Sequence, residues 1–365
     1  MRFPKYSSEW ITTKYDSVCK VFSGGTPKSS NKEYYKGDIP FIRSGEIHLD
    51  KTELFINEKA LRESSAKMIN KGDLLLALYG ATSGEIDISR IEGAINQAIL
   101  CIKTDQNKQF IKYGWESKVT KYLSTYLQGG QGNLSAEIFK SIRVDLTEKD
   151  EQAKIGYFLV LLDDRIKTQN KIIKEMYSLK KAIYFNSVKT ASLKEVMVSD
   201  FCEIGRGRVI SQQEIAKQES PKYPVFSSQT LNNGIMGYLD NYDFDGEYVT
   251  WTTDGANAGT VFYHNEKFNC TNVCGTLKVK DDAVLPYYLY IALSHVAKKY
   301  VSKNLGNPKL MNGVMGKITI KIPDALNQGK VVNCLKTFDE LIANEVRLLD
   351  CYKKQKQYLL DNMFI

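Results

Sequence analysis

The feature that most constrains this chain is that it repeats. Laid on itself at an offset of 176 residues, positions 141–188 run against 317–364 without a gap, pairing SIRVDL with KITIKI, Gln152 with Gln328, Lys154 with Lys330 and Asp163 with Asp339. Beneath the sparse identities lies a period. From Ile155 an apolar seam passes through Leu159, Leu162, Ile166, Gln169, Ile173, Met176, Lys180 and Ile183 in alternating steps of four and three, as a coiled-coil core requires. The seam returns 176 residues on as Val331, Leu335, Phe338, Ile342, Glu345, Leu349, Tyr352, Lys356 and Leu359, with its polar interruptions at the same steps. Thr147 with Asp150 resembles a capping box, and Pro323 with Asp324 gives a comparable stop-and-cap signal. Two proline-free helices of about 33 residues, roughly 50 Å each, are expected.

Two tandem units of globular domain and long helix close most simply if the helices pair antiparallel, giving a dumbbell with a pseudo-twofold axis across a shaft. Gln169 then faces Glu345, a central polar pair able to fix register. The expected bounds are a globular domain over 1–147, a spacer helix over 148–190, a second domain over 191–323 and a second spacer helix over 324–365.

The globular segments share landmarks in order. Each opens on a Cys-containing strand and a glycine turn, SVCKVFSGGTPKSS from Ser17 and SDFCEIGRGRVIS from Ser199. A stretch with proline follows, GDIPFIRSGEI from Gly37 and KYPVFSSQTLNNG from Lys222, and then a turn and strand, KGDLLLALYGATSGEI from Lys71 and DGEYVTWTTDGANAGTVF from Asp245. Near the end stand GGQGNLS from Gly129 and LGNPKLMN from Leu305. Short β-rich runs punctuated by Gly, Asn and Asp, with helical patches near 111–127 and 287–303, read as α+β domains with many surface loops.

Most catalytic classes are excluded. No apolar run approaches the roughly 20 residues that span a bilayer, and the first residues lack the pattern of a secretory signal, so the cytoplasm is expected and no membrane partner. Seven Cys without any CxxC argue for reduced thiols rather than a disulfide framework or zinc cage. His48, His264 and His295 have no metal-ligand spacing, and no metal is expected. GRG at Gly205 lacks the rest of a dinucleotide fingerprint, and Gly313 to Lys317 lacks the first glycine and hydroxyl residue of a phosphate loop. VFSGGT at Val21 looks like a glycine loop for S-adenosylmethionine, but no βαβ alternation follows and no motif to hold a target base occurs. No cofactor is expected.

The loops instead carry the side chains that read nucleic acid. The net charge of +8 permits a polyanionic partner. Arg pairs two donors with guanine, Asn or Gln pairs with adenine, and Lys and Ser hold phosphates. On loop position and chemistry the candidates for DNA contact are Lys28, Arg43, Tyr79, Thr82, Ser83, Gln131 and Asn133 in the first half, and Arg206, Arg208, Ser228, Gln229, Asn257, Asn307 and Lys309 in the second. The alternative is that these are solvated loop residues.

These landmarks resemble the specificity subunits of type I restriction-modification systems. The resemblance rests on SGGTP at Ser23, GDIPFIRSGEI, KGDLL followed by YGATSG at Tyr79, GGQGN at Gly129 and the helix after EKDEQAKI, and it covers essentially the whole chain. The second half departs from it where GRGRVIS replaces SGGTP. The resemblance implies a non-catalytic subunit in which each globular unit is a target-recognition domain reading one half of a bipartite, asymmetric site on double-stranded DNA. It also implies that the paired helices space these domains and dock methyltransferase subunits, two in number, joined by restriction subunits. The seam leaves further apolar residues, Phe158, Val160, Leu161 and Ile172, for such docking. Two other readings stand beside it: a fused DNA methyltransferase, which the missing cofactor and base-holding motifs disfavour, and a coiled-coil scaffold binding proteins at both ends.

Overall fold

Four consecutive apolar residues, Leu74 to Ala77, form a strand buried on both faces. Side chains alternate across a strand. Leu74 and Leu76 accordingly enter a cluster with Phe110, Trp115 and Phe139, whereas Leu75 and Ala77 enter another with Ile42, Ile95 and Ile99. The computed structural model in which this is seen describes residues 2–126, 133–190, 192–229, 231–280, 282–302 and 306–364. By contacts the chain divides into a first unit, Met1–Lys171 with Val346–Ile365, and a second, Ile172–Glu345.

In the first unit an antiparallel sheet runs in the order Cys19–Ser23, Ile99–Thr104, Leu74–Ala77 and Ile86–Ile88. A second sheet orders Leu54–Ile56, Ile39–Ile42, Gly93–Ile95 and Lys67–Ile69, with Ile39–Ile42 and Gly93–Ile95 in parallel. A two-stranded ribbon pairs Ile11–Lys14 with Arg143–Leu146. The second unit repeats the plan. Its antiparallel sheet orders Cys202–Arg206, Cys274–Val279, Glu247–Thr252 and Val261–Asn265, its smaller sheet orders Ile235–Leu239, Tyr223–Phe226 and Asn269–Cys270, and its ribbon pairs Lys194–Met197 with Thr319–Ile322. The parallel pair recurs between Tyr223–Phe226 and Asn269–Cys270. Mixed sheet and helix make the α+β class expected from the sequence. The second helical patch is shorter than expected: helix Pro286–Val296 tightens into a 3-10 turn at Ala297–Tyr300.

The two long helices are Lys149–Thr190 and Ala325–Met363, 42 and 39 residues, each longer than the roughly 33 residues expected of the seam and lying within 148–190 and 324–365. Asp324 caps the second as expected, its Oδ1 accepting from the Asn327 amide at 2.9 Å. The Thr147–Asp150 capping box does not form. Thr147 instead donates its hydroxyl to the buried Glu151 carboxylate, which also accepts from Arg2 Nη2 at 2.6 Å, so Glu151 rather than Asp150 is the acid that partners Thr147. Gln152 and Gln328 are both buried for one reason. Gln152 Oε1 accepts from the Asn107 amide at 3.1 Å and its Nε2 donates to the Thr147 carbonyl at 2.7 Å, while Gln328 Oε1 accepts from the Leu285 amide and its Nε2 donates to the Pro323 carbonyl, both at 3.0 Å. Each glutamine ties the start of its long helix to a globular domain.

Within each unit the helices run antiparallel. In the first, Asp163 pairs with Lys356 at 2.8 Å and Arg165 lies over the ring of Tyr352. In the second, Lys180 pairs with Asp339, and Tyr184 packs in one cluster with Val331, Val332 and Leu335. The polar steps of the seam, Lys180 and Lys356, thus meet acids on the facing helix, and those acids also accept from Tyr287 and Tyr113 of the globular domains. Of the seam residues, Leu159, Gln169, Leu335, Ile342 and Leu349 are buried, and Leu162, Ile166, Ile173, Phe338 and Glu345 are half-buried.

Candidate nucleic-acid interface

Two tight hairpins have the same backbone. In the first unit the turn between Leu74–Ala77 and Ile86–Ile88 is closed by bonds from the Gly84 amide to the Ala77 carbonyl (2.9 Å), Ser83 to Gly80 (3.1 Å) and Glu85 to Thr82 (3.0 Å). In the second, Gly259 bonds to Thr252 (2.8 Å), Ala258 to Gly255 (2.9 Å) and Thr260 to Asn257 (3.0 Å), every partner 175 residues on. Both turns need left-handed backbone at their two glycines, with φ +89° and +88° at Gly80 and Gly84, and +87° and +78° at Gly255 and Gly259. Residues with a Cβ rarely adopt that region, which is why the spacing G-x-x-x-G recurs in YGATSG and DGANAG.

Three further loops meet each hairpin, again at matching positions. The Leu78 amide bonds to the Ala98 carbonyl and the Leu134 amide to the Leu78 carbonyl, at 2.8 and 3.0 Å. In the second unit Thr253 bonds to Val273 and Leu310 to Thr253, at 2.8 and 2.9 Å. The remaining loop follows the edge strand, Cys19–Ser23 in one unit and Cys202–Arg206 in the other. The sequence therefore builds the same four-loop platform twice.

The side chains on the two platforms differ. On the first, Thr26 donates its hydroxyl to Gln97 Oε1 at 2.5 Å, the Tyr79 hydroxyl also engages Gln97, and Ser83 donates to the Leu78 carbonyl at 3.0 Å. Asn133 stands exposed beside Leu134. On the second, Arg206 donates Nε to the Asn272 carbonyl and Nη2 to Thr253 Oγ1 (3.2 Å) and Asp254 Oδ2 (3.3 Å). Lys309 Nζ lies 3.7 Å from Asp254 Oδ1, and Asn257 donates Nδ2 to the Ser228 carbonyl at 3.1 Å. Tyr79 corresponds to Asp254, Gln97 to Asn272 and Asn133 to Lys309.

The structure thus brings Tyr79, Thr82, Ser83 and Asn133 to one platform, and Arg206, Ser228, Asn257 and Lys309 to the other. Gln229 lies next to Ser228 but turns its amide to the Ile235 carbonyl, and Asn307 is exposed beside Pro308, whose carbonyl accepts from Gly255 at 3.0 Å. Other expected residues stand elsewhere. Arg43 is held by Glu46 (2.9 Å) and Glu53 (2.6 Å), and although burial works against the Glu46 carboxylate, Arg43 and two backbone amides pull its pKa down to about 2. Arg208 follows Arg206 but turns its guanidinium to Glu214 (2.7 Å) and Asp243 (3.0 Å). Lys28 is exposed in the turn after Thr26, and Gln131 lies outside the described residues. The sequence reading missed Gln97 and Asp254, the groups around which each platform is organised. Their signal was position, since both lie in or beside segments whose counterparts repeat.

The histidines are structural. His48 sits between Asp87 (3.1 Å) and Glu85 (2.8 Å), His264 is buried against Phe226 with its ring bonded to Thr250, and His295 stacks on Tyr184. Among the described residues no group of three or more His, Cys, Asp or Glu could hold a metal ion, and no helix is long and apolar enough to cross a membrane.

A family profile described as "Type I restriction modification DNA specificity domain" matches residues 7–176 and again 192–350. A putative type I specificity subunit N-terminus of Mycoplasma pneumoniae is 47% identical over 146 residues, which is 40% of this chain and 78% of that protein. Another putative type I specificity subunit of the same organism is 32% identical over 243 residues, 64% of this chain and 90% of the relative. Among solved structures, the crystal structure of a type I restriction-modification S subunit from M. genitalium shares the fold with a TM-score of 0.68 at 15% identity, covering 98% of this chain and 96% of that one.

Proposed function

Since the chain belongs to the type I restriction-modification DNA specificity family, its profile matched twice along the length, we propose that it selects the DNA sequence on which a type I complex acts, without catalysing a reaction itself. One observation carries this reading: two platforms of identical backbone plan present different polar side chains, as two readers of unlike half-sites require. Positioning residues on such an interface would contact phosphates, and the amides, guanidinium and carboxylate of the platforms suit base edges in the major groove.

We place the recognition domains at 1–147 and 191–323 and the spacer helices at 148–190 and 324–365. The partners in this reading are double-stranded DNA, two methyltransferase subunits and the restriction subunits, in the cytoplasm. Docking of methyltransferase helices suits the apolar side chains that the first long helix leaves exposed, among them Tyr157, Leu161 and Leu179. Phe158 and Val160 suit it less, because Phe158 packs edge-on against Phe3 and Val160 against the first unit's core.

Mapping of methylated bases in cells that carry the companion subunits, with and without this chain, tests the reading. A two-part motif present only with the chain is expected; methylation at the same sites without it would sink the proposal.

A further inference from the structure

The two platforms differ in charge, and the difference points to different bases. We infer that the second unit's platform reads a half-site containing a G·C pair, and the first unit's platform one whose contacts at the equivalent positions fall on A·T pairs. The inference rests on the DNA-reading function proposed above and names what each half of that site would take.

On the second platform Arg206 is braced. Its Nε is committed to the Asn272 carbonyl and its Nη2 to Thr253 and Asp254, so the guanidinium plane is fixed while Nη1 has no partner among the described residues. That leaves the N–H groups of Nη1, held in a fixed plane, to donate toward the N7 and O6 acceptors of guanine. Asp254 accepts from Arg206 and lies near Lys309, leaving one net positive charge among the three groups, which suits a surface facing phosphates. A carboxylate at the same place accepts from the amino group of cytosine, the other member of the pair. Adenine has a donor amino group where guanine has O6, so an adenine at that position would set its amino group against a donor of Arg206 and match only N7.

On the first platform the equivalent positions carry no charge. Gln97 is held by Thr26 and Tyr79, and Asn133 is exposed next to Leu134, whose amide bonds to the hairpin residue Leu78, at the position that matches Lys309. A carboxamide offers a donor and an acceptor side by side, the pattern that pairs with the amino group and N7 of adenine, and the methyl of Thr26 suits the methyl of thymine. Guanine presents two acceptors there and would oppose the carboxamide oxygen. The same loop frame therefore favours opposite base pairs through side chains alone.

The test is selection from duplexes with randomised blocks by the complex of the full chain with its methyltransferase subunits, read by sequencing. For the unaltered chain two separated blocks should be enriched. Arg206→Gln should flatten a guanine preference in one block by roughly tenfold and leave the other block intact, and Gln97→Leu should do the same to an adenine preference in the other block. Arg206→Lys, which keeps the charge and loses the planar fork, should give the same relaxation if the glutamine variant does not fold. A two-block motif whose Arg206-sensitive block lacks guanine, or whose Gln97-sensitive block lacks adenine, overturns the inference and leaves the DNA-reading function standing. No enrichment of any sequence by the unaltered complex overturns both.

Discussion

In the first unit the hairpin Tyr79 to Gly84 stands with Thr26, Gln97 and Asn133; in the second, Asp254 to Gly259 stands with Arg206, Asn272 and Lys309. The backbone bonds are the same and the glycines needing left-handed backbone occupy the same steps, yet the outward side chains share almost nothing. A turn that only glycine satisfies, and amides that must pair, tolerate little change. Side chains that face outward from such a frame are free to change without cost to the fold. The contrast continues inward. The strand before the hairpin buries Leu75 and Ala77 on its second face in the first unit, whereas the second buries Thr250 and Thr252, with Thr250 bonded to His264.

If the units are equivalent scaffolds, matched damage should cost them alike. Leu159→Ala and Leu335→Ala, 176 residues apart and both fully buried, should each destabilise the protein by about 3 kcal/mol in urea unfolding followed by circular dichroism. A gap of more than about 2 kcal/mol between them would break the equivalence. Gly84→Ala and Gly259→Ala come next at about 1–3 kcal/mol each, because both put a Cβ on left-handed backbone and bring it 2.8 Å from a valine methyl, Val119 or Val301.

Where the platforms differ, matched changes should diverge. Asp254→Asn removes the acid that offsets Arg206 and Lys309, so binding to unrelated DNA should tighten by about threefold with a steeper salt dependence, as read by fluorescence anisotropy. Tyr79→Phe, at the same step of the first platform, should leave both unchanged.

The smallest effect is a difference in pH response. The hydrogen bond with Asp87, then that with Glu85, holds the His48 pKa above its usual value against the pull of burial. Its stabilisation is complete below the ordinary histidine pKa and is lost as pH rises through the higher folded value. Burial pushes His264 down to about 4, so the second unit keeps this contribution above the ordinary pKa and loses it as pH falls toward 4. His48→Gln should flatten the alkaline side of the stability profile and His264→Gln the acid side; the reverse assignment would refute both.

Much of this was legible in the sequence because periodicity survives where identity does not. The seam from Ile155 and its return from Val331 announced the helices, and the segments that hold YGATSG and DGANAG stood out as matching landmarks, though read as a turn and strand rather than as hairpins. What a linear reading misses is which long side chain reaches which partner. Lys180 and Lys356 looked like defects in the seam until Asp339 and Asp163 proved to meet them. Arg43 and Arg208 looked like free donors, but nearby acids hold them, and Thr147 gave its hydroxyl to Glu151 rather than forming a box with Asp150. Gln97 and Asp254 escaped notice although Asp254 opens DGANAG, because nothing in the sequence says that folding sets these two side chains at the centre of a platform.

The claim that two like frames read unlike half-sites independently is tested by combining Gln97→Ala and Arg206→Gln in one chain and measuring selectivity at both DNA blocks. Losses confined to one block for each single variant, and summing in the double variant, are expected of separate readers. Erosion of both blocks by either substitution alone would contradict it.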